Sequence, residues 1–157
     1  MHVVLVEPEI PPNTGNIART CAAVGATLHL VEPLGFEISD RQLKRAGVDY
    51  WHLVQVEVHA AWDALPEDIR DPRRMHLFTA RRGIRYDRAE YSDDAVLVFG
   101  RESVGLPDWL LDGHPDRCRV IPMVGGGVRS LNVSNAAALA IYEAWRQRDF
   151  GGFSAKL

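Results

Sequence analysis

Short apolar runs, each stopped by an acid–proline pair, a proline or a glycine, recur along this chain with helical segments between them. No other feature restricts its fold so tightly. His2 to Val6 is closed by Glu7-Pro8, and Thr27 to Val31 by Glu32-Pro33. Between them Ile17, Cys21 and Val24 recur at helical spacing, with Gly25 as the stop signal. Strand, helix, strand is the βαβ rhythm, which needs a crossover helix and gives a parallel sheet. The turn Pro11-Pro12-Asn13-Thr14-Gly15 is expected ahead of the first helix, with Asn13 or Thr14 as its cap.

The rhythm continues. Leu53 to Val58, Met75 to Thr79, Ala95 to Phe99 and Arg119 to Ile121 read as strands. Helical pieces are expected over Asp40 to Ala46, Ala60 to Leu65, Pro107 to Leu111 and Ser134 to Arg148. A basic stretch, Arg81-Arg82-Gly83-Ile84-Arg85, follows the strand Met75 to Thr79. The fold class that results is α/β with a mostly parallel central sheet. With no linker-like segment and no internal repeat, residues 1–157 read as a single domain.

Composition serves mainly to exclude. At 46% hydrophobic residues the chain has enough apolar side chain to offset the ordering entropy, so global disorder is out. No apolar stretch approaches the roughly 20 residues of a membrane span, and Met1-His2-Val3 enters a strand without a basic leader, so a cytoplasmic protein away from membranes is expected. A core of this size calls for no metal or disulfide, and Cys21 and Cys118 read as small buried residues. The net charge of -3, from 18 basic and 21 acidic residues, is not the footprint of a strongly basic nucleic-acid binder. Contact with a polyanion would have to come from patches, with steep salt dependence.

Ligands of parallel sheets sit beyond the carboxyl ends of the strands. Three loops there combine glycine with polar groups: Pro11 to Arg19, Gly100 to Pro107, and Pro122 to Asn135. None carries Gly-x-Gly-x-x-Gly, and Gly125-Gly126-Gly127 lacks the Lys-Ser/Thr ending of a phosphate loop, so neither a dinucleotide nor a nucleoside-triphosphate site is expected. Instead, Arg129-Ser130-Leu131-Asn132-Val133-Ser134-Asn135 gathers four hydrogen-bonding side chains and an arginine ahead of a helix, more than the capping role of Asn132 or Ser134 requires. Asn16 and Arg19, three apart, share one helix face. Glu102 either caps a helix start or faces a cationic ligand or the neighbourhood of Arg101. Residue chemistry alone defines a small-molecule pocket with an arginine.

These loops resemble the three signature motifs of the SPOUT methyltransferases: Pro11-Pro12-Asn13-Thr14-Gly15-Asn16-Ile17-Ala18-Arg19, Phe99-Gly100-Arg101-Glu102-Ser103-Val104-Gly105-Leu106-Pro107, and Ile121-Pro122-Met123 running through Arg129-Ser130-Leu131-Asn132-Val133-Ser134-Asn135-Ala136. The resemblance is nearest to the family's minimal tRNA 2′-O-methyltransferases and covers nearly the whole chain. It implies an α/β sheet with helices on both faces and a deep C-terminal trefoil knot, which periodicity does not reveal. It also implies S-adenosylmethionine as methyl donor, leaving S-adenosylhomocysteine, with no metal. The acceptor implied is the ribose 2′-hydroxyl of the wobble nucleotide, a cytidine or modified uridine, in the anticodon stem-loop of leucine tRNAs. A homodimer with shared active sites and no separate RNA-binding extension completes the implied picture.

Residue by residue, the resemblance places Arg19, Asn16, Ser130, Asn132 and Asn135 at the reacting groups. It places Thr79, Gly100, Glu102, Ile121, Met123, Ser130, Leu131 and Ser134 at the cofactor. Arg19 either removes the hydroxyl proton or orients the target phosphate and stabilises developing oxyanion character. The candidates for RNA contact are Arg41, Lys44, Arg45, Arg81, Arg82, Tyr142 and Arg146, with Arg85 and Arg148 beside them. The alternatives are ribose methylation of ribosomal RNA or of another tRNA position, or an RNA-binding knotted protein without turnover.

Overall fold

The computed structural model describes residues 1–37, 53–124 and 127–153. Strand β1 (His2–Val6) leads through helix α1 (Pro11–Val24) to β2 (Thr27–Val31). Strands β3 (Val56–His59), β4 (Met75–Phe78), β5 (Ile84–Arg85) and β6 (Val96–Phe99) follow. The short helix α2 (Asp108–Gly113), strand β7 (Cys118–Val120) and helix α3 (Val133–Arg146) close the chain. Among the described residues no helix is long and apolar enough to cross a membrane.

The seven strands of the described residues lie in one sheet, ordered β3-β2-β1-β6-β4-β7-β5, and every pairing among them is parallel. The α/β class with a parallel sheet is therefore what the chain adopts, in agreement with the SPOUT knot that the motifs resemble. The order holds information that strand periodicity lacks. The last strand, β7, enters between β4 and β5, both laid down earlier in the chain. Where it passes, Gly83 (φ +133°) lies so close that a Cβ there would sit 2.4 Å from the carbonyl oxygen of Cys118. Only glycine permits this approach.

Side chains alternate along the strands, so the sheet carries a core on each face. On one face Val3, Leu5, Leu28, Leu30, Leu97 and Phe99 pack under α1 and α3, which contribute Ile17, Ala18, Cys21, Ala137, Ala140, Ile141 and Ala144. The positions on α3 fall at the i, i+3, i+4, i+7 spacing of a buried stripe. On the other face Val4, Val6, Val31, Leu77, Val96 and Val98 meet Leu65, Ile69 and the α2 residues Leu110 and Leu111. Burial pushes the Cys21 thiol up to about 12, so it stays an inert thiol in this core.

Several boundaries differ from the sequence reading. Helix α1 starts at Pro11, not after Thr14: its N-cap is Ile10, with no side-chain cap, and Asn13 and Thr14 are buried inside the helix. Proline suits this first turn because its missing N–H would have had no partner there. Strand β3 begins at Val56, leaving Leu53 60% exposed. Residues 60–65 form only a 3-10 turn, Trp62–Ala64. The basic stretch at residues 81–85 contains β5, held against β7 by pairing of Ile84 with Arg119 and of Arg85 with Val120. The helix expected over residues 40–46 lies outside the described residues.

Candidate active site

The carboxyl ends of β4, β6 and β7 open onto a cavity of about 590 Å³, within the range of small-molecule sites. Phe78 and Phe99, the last residues of two neighbouring strands, stack at 4.7 Å between ring centres and both border it. Beyond β6 the chain turns back on itself. Gly105 (φ +80°) donates its N–H to the carbonyl of Arg101 at 2.8 Å. A Cβ on Gly100 would lie 2.1 Å from the Gly105 carbonyl carbon. The absence of a side chain at Gly100 lets the 100–107 loop close against its own backbone, and the loop borders the cavity. Beyond β4, the N–H of Thr79 bonds the carbonyl of Arg119 at 3.0 Å, carrying the ladder to the cavity wall.

The three motif loops are joined by side-chain hydrogen bonds. The Glu102 carboxylate accepts from the N–H of Glu9 at 2.8 Å, the N–H of Ile10 at 3.3 Å and Nδ2 of Asn13 at 3.1 Å. Asn13 in turn accepts at Oδ1 from Nδ2 of Asn132, 3.0 Å away. Asn132 Oδ1 takes the N–H of Ser134 at 2.9 Å, that of Asn135 at 3.4 Å and the Ser134 hydroxyl at 2.6 Å. On either side of Glu102 the clasp is repeated: Arg101 pairs with Glu7, and Ser103 donates its N–H and hydroxyl to Glu9 at 3.0 and 2.9 Å. Helix α1 has no acid in its own first turn, so Glu102 provides the negative charge that its N-terminus favours.

Most of the residues assigned to the cofactor border this cavity: Thr79, Gly100, Glu102, Ile121, Met123, Ser130 and Leu131, together with Asn132. Ser134 is buried behind them, its hydroxyl directed to Asn132. Asn16, Arg19 and Asn135 do not line the cavity; each lies on an exposed helix position, with the Asn16 carbonyl accepting from the Thr20 hydroxyl at 3.0 Å. Gly125 and Gly126 lie outside the described residues, as do Arg41, Lys44 and Arg45.

The other arginines assigned to RNA each face a carboxylate. Arg81 pairs with Asp108 at 2.5 Å, Arg82 with Asp112, Arg85 with Asp87 at 2.6 Å, Arg146 with Glu143 at 2.8 Å and Arg148 with Asp93 at 2.5 Å. Tyr142 is 46% exposed and meets Trp145 edge-on, with 5.6 Å between ring centres.

Among the cavity residues absent from the sequence-based assignment, three bear on its geometry. Asn13, read as a cap, is the middle link between two loops. Arg129, named only as part of its motif, borders the cavity with no ion-pair partner among the described residues. Arg119 is the least legible, because a strand of three residues gives an arginine no marker of burial. It is 5% exposed and donates from Nε to Nδ1 of His76 at 3.0 Å, and to the carbonyls of Asp116 and Cys118 at 2.9 Å. Burial, and then the Arg119 guanidinium beside it, push His76 down to about 3, which keeps the accepting nitrogen free of a proton.

A parallel sheet threaded by its last strand, with three clasped glycine-bearing loops around a small-molecule cavity, is the architecture of a family. Residues 1–142 match the SpoU rRNA Methylase family, and the chain belongs to it. It is 48% identical over 151 residues to the tRNA (cytidine(34)-2′-O)-methyltransferase of Methylovorus glucosotrophus, covering 96% of this chain and 97% of that one. A solved structure described as giving structural insights into the 2-OH methylation of C/U34 on tRNA superposes with a TM-score of 0.85 at 45% identity, covering 95% of this chain and 96% of the other. An AdoMet-bound rRNA methyltransferase from Sinorhizobium meliloti superposes at a TM-score of 0.77 with 26% identity, over 92% of this chain and 55% of its own.

Proposed function

We propose that this chain transfers a methyl group from S-adenosylmethionine to the ribose 2′-hydroxyl of the wobble nucleotide, cytidine or uridine at position 34, in the anticodon loop of tRNA. Leucine tRNAs are the proposed substrates, and the 157 residues act as one cytoplasmic catalytic domain. The observation that carries this reading is the clasp of Glu102, Asn13 and Asn132, which brings all three motifs to one cavity.

The cavity fits the donor. Residues 100–105 form one wall, folded tightly where Gly100 approaches the Gly105 backbone, so peptide groups of this loop are available to read the edge of an adenine. Ile121, Met123 and Leu131 provide apolar surface beside it. Bound S-adenosylmethionine supplies a sulfonium methyl group and leaves as S-adenosylhomocysteine. Ser130 and Asn132 orient groups at the cavity mouth, and the stacked Phe78 and Phe99 keep water from its floor. The role of Arg19 is to hold the target phosphate and stabilise the oxyanion that develops on the 2′-oxygen, while the phosphate or a water molecule takes the hydroxyl proton as the methyl–sulfur bond breaks.

Arg19 and Asn16 lie on α1 outside the cavity lining, and α3 exposes Leu139 and Tyr142 beside Phe150. Both facts support a homodimer in which Arg19 and Asn16 of one copy complete the cavity of the other. The first test is methyl transfer from labelled S-adenosylmethionine to bulk tRNA, followed by nucleoside mapping. Label in a 2′-O-methylated wobble nucleotide is the expected result. Donor binding without label in tRNA would overturn the substrate and redirect the search to ribosomal RNA. For Arg19, a fully active Arg19→Lys variant with an unchanged pH–rate profile would remove both the proton-abstracting and the fork-geometry roles.

A further inference from the structure

At the sheet edge away from the cavity, three side chains on β2 and β3 converge on one point. His29 Nδ1 lies 3.1 Å from His59 Nε2, and Glu57 Oε2 lies 3.6 Å from the first and 3.9 Å from the second. The carboxylate is thus beyond hydrogen-bond distance of both rings while its oxygen faces both nitrogens. A carboxylate that merely accepted an imidazole proton would sit closer. Those three separations define a triangle whose circumcentre is about 2.1 Å from each corner, the length of Zn–N and Zn–O bonds.

The surroundings hold these atoms in place. His29 is buried, and its other ring nitrogen, Nε2, meets His2 Nδ1 at 3.0 Å. With His29 protonated at Nε2 and donating to His2, its Nδ1 accepts from His59 Nε2, and both nitrogens become available to an ion when His59 takes its other tautomer. The second oxygen of Glu57 accepts from Gln55 Nε2 at 3.0 Å, which orients the carboxylate. The register pairs His29 with Glu57 across β2 and β3, and the His59 carbonyl accepts from the Glu32 N–H at 2.9 Å. Glu57 is 39% exposed, so its carboxylate is in contact with solvent.

The geometry points to a site for a divalent transition metal of the Zn²⁺ class, bound by His29 Nδ1, His59 Nε2 and Glu57 Oε2. Two imidazoles and one carboxylate are a donor set for borderline ions, not for Mg²⁺ or Ca²⁺. The site lies at the β3 end of the strand order, whereas the cavity opens on β6, β4 and β7. The ion would take no part in methyl transfer; it would tie the edge strand β3 to β2.

The test uses the full-length protein without a histidine tag, stripped by chelator and titrated with Co²⁺ as a visible-absorption probe, with Zn²⁺ as competitor. The expected result is one equivalent bound with a Kd of about 10 µM or tighter and displaced by Zn²⁺. His59→Ala and Glu57→Gln should each weaken binding by at least about tenfold, and Gln55→Ala by a smaller factor, while His114→Ala leaves it unchanged. A second readout needs no variant: substoichiometric Co²⁺ should broaden the imidazole resonances of His29 and His59 before those of His76 and His114. Absence of saturable binding, equal binding by His59→Ala, or broadening centred on His114 would each overturn the site. Methyl transfer plays no part in either measurement, so the result stands apart from the proposed activity.

Discussion

The two long helices begin in opposite ways. Helix α3 is closed by its own sequence: Asn132 Oδ1 accepts from the N–H groups of Ser134 and Asn135, two and three residues on. Helix α1 has no side-chain cap of its own. Pro11 and Pro12 remove two N–H groups from its first turn, and Glu102, 93 positions from Glu9, accepts the two N–H groups that precede it. The start of α3 is therefore a local property of seven residues. The start of α1 is fixed only when the 100–107 loop is in place, so ordering that helix end and assembling the cavity are one event.

The comparison predicts a descending series of effects. Glu102→Ala strands two backbone donors and the Asn13 amide, and should cost about 2–3 kcal/mol in urea unfolding, with binding of S-adenosylmethionine weakened at least about tenfold. An unchanged unfolding midpoint would show that α1 does not depend on the remote carboxylate. Asn132→Ala, the loss of a local cap, should cost about 1–2 kcal/mol. Asn132→Asp keeps the acceptor for Ser134 and Asn135 but loses the donor to Asn13, so it should retain most stability while loosening the cavity, read as weaker donor binding. The link between the helices is measurable as a double-mutant cycle: Glu102→Gln with Asn132→Asp should couple by about 0.5–1 kcal/mol, and the coupling should vanish in an Asn13→Ala background. The smallest effect belongs to Pro12→Ala, about 0.5 kcal/mol, because it frees the unfolded chain and returns a donor to a turn that has no acceptor for it.

The same contrast explains what could be read without coordinates. Asn132 as a cap, Gly25 as a helix stop and the runs at residues 2–6, 27–31 and 95–99 rest on neighbours a few positions away, and sequence reports neighbours well. The roles of Asn13 and Glu102 rest on partners 119 and 93 positions distant, and neither spacing nor residue type contains that distance. Strand β5 escaped because two exposed residues, Ile84 and Arg85, become a strand only by pairing with β7. The strand order escaped for the same reason: insertion of β7 between β4 and β5 is a property of the path, not of any segment along it. The motif loops were nevertheless legible as a group, since a resemblance carries the result of long-range contacts that composition cannot supply. At the opposite edge, His29, Glu57 and His59 carried no motif, and only the register of β2 with β3 placed them together.

The arginine–carboxylate pairs across the surface change how RNA association should work. With Arg81, Arg82, Arg85, Arg146 and Arg148 each already facing an acid, a phosphate arriving there does not meet a bare cation. RNA docking at these positions would compete with the resident carboxylates for the guanidinium N–H groups, an exchange of anions around a shared cation. Such an exchange leaves the freed acid beside the incoming strand, where it discriminates against loosely seated backbones and favours those whose phosphates match the whole set. The protein would then select among polyanions by geometry at low overall attraction, which accords with a chain of net charge -3.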